Sequence, residues 1–288
     1  MAKLAVVIPC YNVSSSIIDV VKSIGPEISK IYVIDDCCPQ KSGDLVNINV
    51  KDDRIKVLYN SVNLGIGGAT KKGISEAFKD NKIDICLKID GDGQMDTDNI
   101  IKFVSKFKKN YLYVKGNRFH PHKKFFKMPL LRIIGNFFLS IITKITTGQY
   151  NTFDATNGFI AIHKEVYKNL KLENIADNFF FETTMIAEMR RIKCEILDVN
   201  IETIYKDEKS NLVISKILLD FIFRHIIIFL KRIDREYIKN KKIFIILLLI
   251  GILFSFFITF FIKKFIFLLI ILITIFIIKD KNLNTIDN

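Results

Sequence analysis

The sequence predicts an α/β domain with a mostly parallel central sheet, followed by amphipathic helices and apolar C-terminal membrane helices. Three observations predict it. Short β-branched runs alternate with helical periodicity from Leu4 to about Lys115. Two later stretches, Pro129–Thr147 and Leu212–Arg232, carry broad apolar faces interrupted by narrow polar stripes. From Ile243 to Ile262 there is no charge, a length that crosses about 30 Å of hydrocarbon.

In the α/β part, Leu4–Ile8, Ile31–Ile34, Ile55–Leu58, Ile83–Ile89 and Tyr111–Val114 read as strands. Ser14–Ile24, Leu64–Lys79 and Asp98–Lys108 read as the helices between them. Such a sheet is covered on both faces, and ligands bind beyond the carboxyl ends of its strands. Polar residues follow those ends: Asn12 after the first strand, Asp35 and Asp36 after the second, Asp90 and Asp92 after the fourth. Asn157–Ile162 is expected as a further strand, Asp177–Arg191 as a helix and Lys193–Tyr205 as one or two strands. The domain is expected to fill residues 1–210.

In the helix expected over 129–147, Pro129 suits the first turn, and Arg132, Asn136 and Ser140 form a polar stripe four residues apart. With the basic, aromatic cluster His120–Lys127 ahead of it, this helix suits a membrane interface, with an ordinary core helix as the alternative. Residues 211–240 are expected as an amphipathic juxtamembrane helix. A transmembrane hairpin is expected over 241–279, with spans at 243–262 and 265–278 parted by Lys263-Lys264, and 280–288 as a tail. The second span is short, about 21 Å as a helix, and either crosses with snorkelling lysines or lies re-entrant or interfacial.

Half of the 288 residues are hydrophobic, yet the formal net charge is +13. That pairing fits a protein attracted to anionic lipid. A nucleic-acid binder is also basic, but neither a helix-turn-helix nor an aromatic sheet motif is evident, so no nucleic-acid partner is expected. Basic residues crowd before Ile243, which favours a cytoplasmic side there. The apolar run Leu4–Ile8 is too brief for a signal-peptide core, so the α/β domain of this integral membrane protein is expected in the cytoplasm. The five cysteines, Cys10, Cys37, Cys38, Cys86 and Cys194, lack zinc-site spacing and read as reduced thiols. Oligomeric state is open, a homo-oligomer included.

Asp90-Gly-Asp-Gly-Gln94 is the most informative stretch. It follows a buried strand, where a charge without a purpose is costly. Carboxylates two residues apart point the same way if the strand geometry persists. Without Cys or His beside them, they suit a hard divalent cation such as Mg²⁺ or Mn²⁺ that shares its ligands with a diphosphate; an acidic helix-capping turn is the alternative. At Asp35-Asp36 one carboxylate is placed to hold a base or ribose, or to cap a loop. The glycines of Asn63–Gly68 lack a P-loop ending and are read as allowing a tight turn and close helix packing. Asp154 and Glu182 are candidates for acid–base work, although Glu182 also suits a helix N-terminus.

Together these stretches resemble glycosyltransferase family 2 with its GT-A fold, a Rossmann-like α/β domain. The resemblance is to its dolichol-phosphate mannose synthase and bacterial polyprenyl-phosphate glycosyltransferase branch. It is carried by Val7-Ile-Pro-Cys-Tyr-Asn12, Val33-Ile-Asp-Asp36, Asn63-Leu-Gly with Gly73, Asp90-Gly-Asp-Gly-Gln94, Gly116-Asn-Arg118, Asp154 with Asn157-Gly-Phe159, and Glu182, in order over residues 3 to 210. The resemblance implies that Pro9, Tyr11 and Asn12 line the nucleotide site and that Asp35 holds the base or ribose. It implies that Asp90, Asp92 and Gln94 arrange metal and diphosphate, that Arg118 and Arg132 meet phosphate, and that Asp154 and Glu182 border sugar and acceptor. One departure stands out: the branch has an Arg five residues before a Ser near the domain's end, where this chain has Tyr205 before Ser210.

The expected activity is inverting transfer of a sugar from a nucleoside-diphosphate sugar to a polyprenyl phosphate at the cytoplasmic membrane face, in building a cell-envelope glycan. The alternatives are transfer to a glycan or lipid hydroxyl, and a non-catalytic membrane scaffold that keeps the fold.

Overall fold

Seven consecutive buried residues, Leu4–Cys10, form β1 at the heart of a seven-stranded sheet. The computed structural model describes residues 2–107, 111–119, 130–201, 214–239 and 241–284. The other strands are β2 (Ile28–Asp35), β3 (Ile55–Tyr59), β4 (Ile85–Lys88), β5 (Tyr113–Asn117), β6 (Ile160–His163) and β7 (Ile196–Asn200), in spatial order β3-β2-β1-β4-β6-β5-β7. All neighbouring strands run parallel except β6, which is antiparallel to both β4 and β5. The chain works outward from β1 through β2 to β3, then returns to place β4 on the other side of β1. That reversal of strand order sets the crevice in which such sheets bind ligands between the carboxyl ends of β1 and β4.

Helices cover both faces because the strands are apolar on both. On one face α1 (Ile17–Lys22), α2 (Ser42–Asn49) and α4 (Asn99–Val104) contribute Ile17, Val20, Val46, Ile100 and Phe103 to a core in which Phe103 stacks on Phe159 at 4.2 Å. On the other, α3 (Gly65–Lys79) and α7 (Phe181–Arg191) contribute Ala69, Ile74, Met185, Ile186 and Met189. The α3–α7 side is tight. A Cβ on Gly67 would collide with the Ala176 carbonyl, which agrees with the close-packing reading of the glycine run. A short helix, α6 (Lys164–Tyr167), follows β6. All five cysteines are free. The helix α2 is unanticipated by periodicity.

Two further helices are inside out. α5 (Leu130–Thr147) buries Ser140, Thr143, Thr146 and Thr147, while Ile134, Phe137, Phe138, Ile141, Ile142 and Ile145 are exposed. In α8 (Ile214–Ile233), His225 is buried while Ile222, Phe223, Ile226, Phe229 and Leu230 are exposed. The two helices meet where Thr146 Oγ1 lies 3.0 Å from His225 Nδ1, with the Phe180 ring edge-on to the imidazole at 4.9 Å. Polar groups inward and a contiguous apolar face outward is the reverse of a soluble surface.

The chain divides into two units, Met1–Leu230 and Lys231–Asn288. In the second, α9 runs unbroken from Lys241 to Asn284. The hairpin expected from spans 243–262 and 265–278 is therefore corrected to one continuous helix. Lys263-Lys264 supplies charge but no turn chemistry, and lysine is a good helix former. Phe244–Leu272 is long and apolar enough to cross a membrane, and its described side chains are exposed.

Candidate active site

The crevice is lined first by the loops after β1 and β2. Pro9 lies buried within β1, past its last partner on β4 (Val7 with Lys88), so its missing N–H leaves that ladder intact. After the strand come Tyr11, which is exposed, and Asn12, which adopts φ +56°. The two loops are stitched together: Asn12 N–H donates to Cys38 Sγ, and Asp36 N–H donates to the Cys10 carbonyl.

Asp35 and Asp36 are buried and fully engaged. Asp35 accepts N–H groups from Cys38 and Gly43, each at 2.8 Å, the second in the first turn of α2. Asp36 accepts from Leu64 N, Gly65 N and Asn60 Nδ2 and so caps α3. Asp35, expected to hold base or ribose or to cap a loop, orders with its carboxylate the loop that borders the crevice.

The end of β4 is wired differently. Asp90 is 27% exposed and Asp92 is partly exposed, with Oδ1 of Asp92 accepting Gln94 N–H at 2.9 Å. Asp90 Oδ1 lies 2.5 Å from Nζ of Lys88, a residue only 1% exposed. Glu182, in the first turn of α7, reaches the same spot: a Cβ on Gly158 would sit 3.1 Å from Asp90 Oδ2 and 3.2 Å from Glu182 Oε1, and would collide with Lys88 Nζ. Burial alone would push the Lys88 ammonium down, but Asp90, Glu182 and Asp92 outweigh it and hold the group above the ordinary lysine range. Burial pushes the Glu182 carboxyl up, against the pull of Lys88 and Lys115.

Asp154 stands apart from this cluster as half of a buried pair. Fully buried, it accepts Arg118 Nε at 2.7 Å, Nη2 at 2.8 Å and backbone N–H at 3.0 Å. Burial raises its carboxyl, but the Arg118 charge and hydrogen bonds, with Lys115, override that and hold it below the usual carboxylate range. An ionised carboxylate gripped on both oxygens is a poor proton acceptor, which weighs against acid–base work by Asp154. Arg118 correspondingly serves Asp154 and Thr156 rather than standing open to phosphate. Lys115, completely buried on β5, donates to the Asn157 carbonyl, and burial lowers it to about 8.

Beside the Arg118–Asp154 pair an apolar groove of about 560 Å³ runs along α5, lined by Phe119, Ile134, Phe137, Phe138, Ile141 and Phe153. Lys144 Nζ rests 3.9 Å above the Phe153 ring at its edge. Arg132 lies on α5 with its side chain outside the described residues, as do the cluster His120–Lys127 and the stretch holding Tyr205 and Ser210.

The structure therefore brings Asp90 and Glu182 together, with Asp92 two residues from Asp90 on the same strand end, and sets Asp154 with Arg118. Sequence reasoning missed Lys88 and Lys115. The signal was present: each is a lysine within an apolar strand, Ile83-Asp-Ile-Cys-Leu-Lys-Ile89 and Tyr113-Val-Lys115, where an unpaired charge is costly. The oxygen-only donor set of Asp90, Asp92 and Gln94 fits a hard divalent cation whose remaining positions come from phosphate and water. No group of three or more His, Cys, Asp or Glu side chains able to hold a metal by themselves occurs among the described residues.

Residues 5–171 match the protein family described as glycosyl transferase family 2. The chain is 27% identical over 216 residues to a UDP-N-acetylglucosamine–dolichyl-phosphate N-acetylglucosaminyltransferase of Methanococcus voltae, covering 70% of this chain and 85% of that one. It is 22% identical over 195 residues to a dolichol-phosphate mannosyltransferase of Pyrococcus furiosus, covering 66% and 54%. The glucosyl-3-phosphoglycerate synthase of Mycobacterium tuberculosis, solved with Mn²⁺, UDP and glucosyl-3-phosphoglycerate, shares the fold at TM-score 0.58 and 15% identity, over 80% of each chain. The strand-end carboxylates thus sit on a GT-A sheet, and the chain belongs to glycosyltransferase family 2.

Proposed function

We propose that this glycosyltransferase moves a sugar, with inversion, from a nucleoside-diphosphate sugar to a polyprenyl phosphate at the cytoplasmic face of a membrane. The observation that carries the reading is the inside-out helix α5, whose outward apolar groove is closed by Phe119 and Phe153, the chain neighbours of Arg118 and Asp154. A soluble acceptor gives no reason for that surface; a phosphate carried on a hydrocarbon chain does. The length and apolarity of Phe244–Leu272 independently support an integral membrane protein.

In this reading Tyr11 and Asn12 border the nucleoside, on loops held by Asp35, Asp36 and Cys38. Asp90, Asp92 and Gln94 would hold Mg²⁺ or Mn²⁺, which when bound neutralises charge developing on the departing diphosphate. Arg132, on α5, is assigned to the acceptor phosphate. A phosphate monoester has a second pKa near 6, so the attacking oxygen is already ionised at neutral pH and needs no general base. Asp154, locked by Arg118, and Glu182, facing Lys88, then shape the sugar site without moving a proton.

The Methanococcus voltae relative is named for UDP-N-acetylglucosamine, which makes UDP-linked N-acetylhexosamines the first donors to test. Membranes containing the chain are incubated with a panel of radiolabelled nucleotide-sugars and extracted into organic solvent. Label is expected in a lipid that releases its sugar in mild acid, as a glycosyl phosphate does. Label confined to acid-stable glycan or glycolipid would overturn the phosphate acceptor in favour of a hydroxyl.

A further inference from the structure

Lys88 occupies a place that an ordinary strand residue does not. Register sets Lys88 opposite Val7 on one side and Ile160 on the other, and Ile160 opposite Lys115. Register partners point to the same face of a sheet. Val7 is buried there, and Ile160 belongs to the core completed by α3 and α7, the helix whose first turn carries Glu182. The lysine is buried in this core up to and including its ammonium, which lies 2.5 Å from Asp90 Oδ1. Gly158 leaves space for that ammonium, and Glu182 Oε1 borders the same space. A monovalent cation is therefore built in against one of the two carboxylates assigned to a divalent one.

We propose that Lys88 competes with the divalent metal for Asp90, so that tight metal binding waits for the donor's diphosphate, and that Glu182 receives the Lys88 ammonium when the metal enters. The inference rests on the metal assignment made above for Asp90 and Asp92. Its physical basis is charge. Two cations cannot share one carboxylate without repulsion, and Lys88 has no route to bulk water by which to withdraw. The diphosphate adds the negative charge that restores balance at the strand end. Glu182, which borders the same space at Gly158, offers Lys88 a second partner. Lys88 and Glu182 are then positioning residues that set the order in which metal and nucleotide bind.

The test is Mn²⁺ binding to the purified full-length chain, followed by electron paramagnetic resonance with and without UDP. In wild type, UDP is expected to tighten Mn²⁺ binding strongly. In Lys88→Met, UDP-free binding is expected to tighten about 10-fold or more, because the competing charge is gone. Lys88→Arg keeps the charge and is expected to behave as wild type. Glu182→Gln is expected to do the opposite of Lys88→Met, weakening Mn²⁺ binding even with UDP. These opposite signs separate the proposal from simple structural damage, and circular dichroism verifies that each variant is folded. Equal or weaker UDP-free binding in a folded Lys88→Met variant, with UDP-dependent binding intact in wild type, overturns the proposal and leaves the metal site standing. Failure of wild type to bind Mn²⁺ with UDP overturns both.

Discussion

The ends of β2 and β4 each carry a pair of acidic residues, and the two pairs have opposite fates. Asp35 and Asp36 are buried and accept backbone N–H groups from Cys38, Gly43, Leu64 and Gly65. Asp90 and Asp92 remain partly exposed, with Asp90 beside Lys88 and Asp92 accepting the Gln94 N–H. The same residue type at the same kind of strand end thus builds a loop in one place and a candidate ion site in the other. What distinguishes them is burial: the β2 pair is sealed under converging backbone donors, while the β4 pair keeps access to solvent. Asp154 extends the comparison to its limit, with both oxygens gripped by Arg118.

Substitutions can break this comparison. The largest effect is expected from Arg118→Ala, which leaves Asp154 charged, buried and without its main partner. Loss of one half of a buried pair costs about 3–5 kcal/mol, read as a lowered denaturation midpoint. Next is Asp92→Asn, expected to lower transfer by about 10²–10³-fold, the loss typical of removing one transition-state charge stabiliser, with little change in unfolding. Asp36→Ala should show the reverse pattern. Removing the cap of α3 is expected to cost about 1–2 kcal/mol of stability while transfer per folded molecule is kept. If Asp36→Ala abolished transfer at full stability, the distinction between the two strand ends would fail.

The smallest effect sharpens the contrast with the α5–α8 side. Burial lowers the His225 imidazole from 6.5 to about 4. Between those values the unfolded chain holds a proton that the folded chain does not, so stability is lost as pH falls through that window. Thermal melts of wild type should decline from pH 6.5 toward pH 4 more steeply than those of His225→Gln. Identical slopes would show that His225 is not held neutral between α5 and Phe180.

The strand runs and the Asp90-Gly-Asp motif were legible because a buried parallel strand leaves an apolar run and its carboxyl end a sudden charge. The helix α2 was not, because Ser42–Asn49 has little intrinsic helix preference and is held at its start by Asp35, a residue distant in sequence. For Asp35, sequence shows the carboxylate but not the amides that converge on it. Lys88 and Lys115 escaped for the complementary reason: a lysine is read as surface unless its apolar neighbours are weighed. In α5 the polar stripe Asn136–Ser140 was legible. That it faces inward became visible only when Ser140 Oγ was found accepting Ala155 N–H. The break at Lys263-Lys264 was read from charge where turn chemistry was what mattered.

The central claim is that the carboxylates at the end of β4, and not those at the end of β2, receive the donor's diphosphate through a divalent ion. A structure of the protein soaked with Mn²⁺ and UDP, with anomalous scattering used to locate manganese, tests this most directly. The anomalous peak is expected within coordination distance of Asp92 and Asp90, with the UDP phosphates against it and Lys88 turned toward Glu182. Manganese and pyrophosphate bound elsewhere, with Asp90 still paired to Lys88, would contradict it.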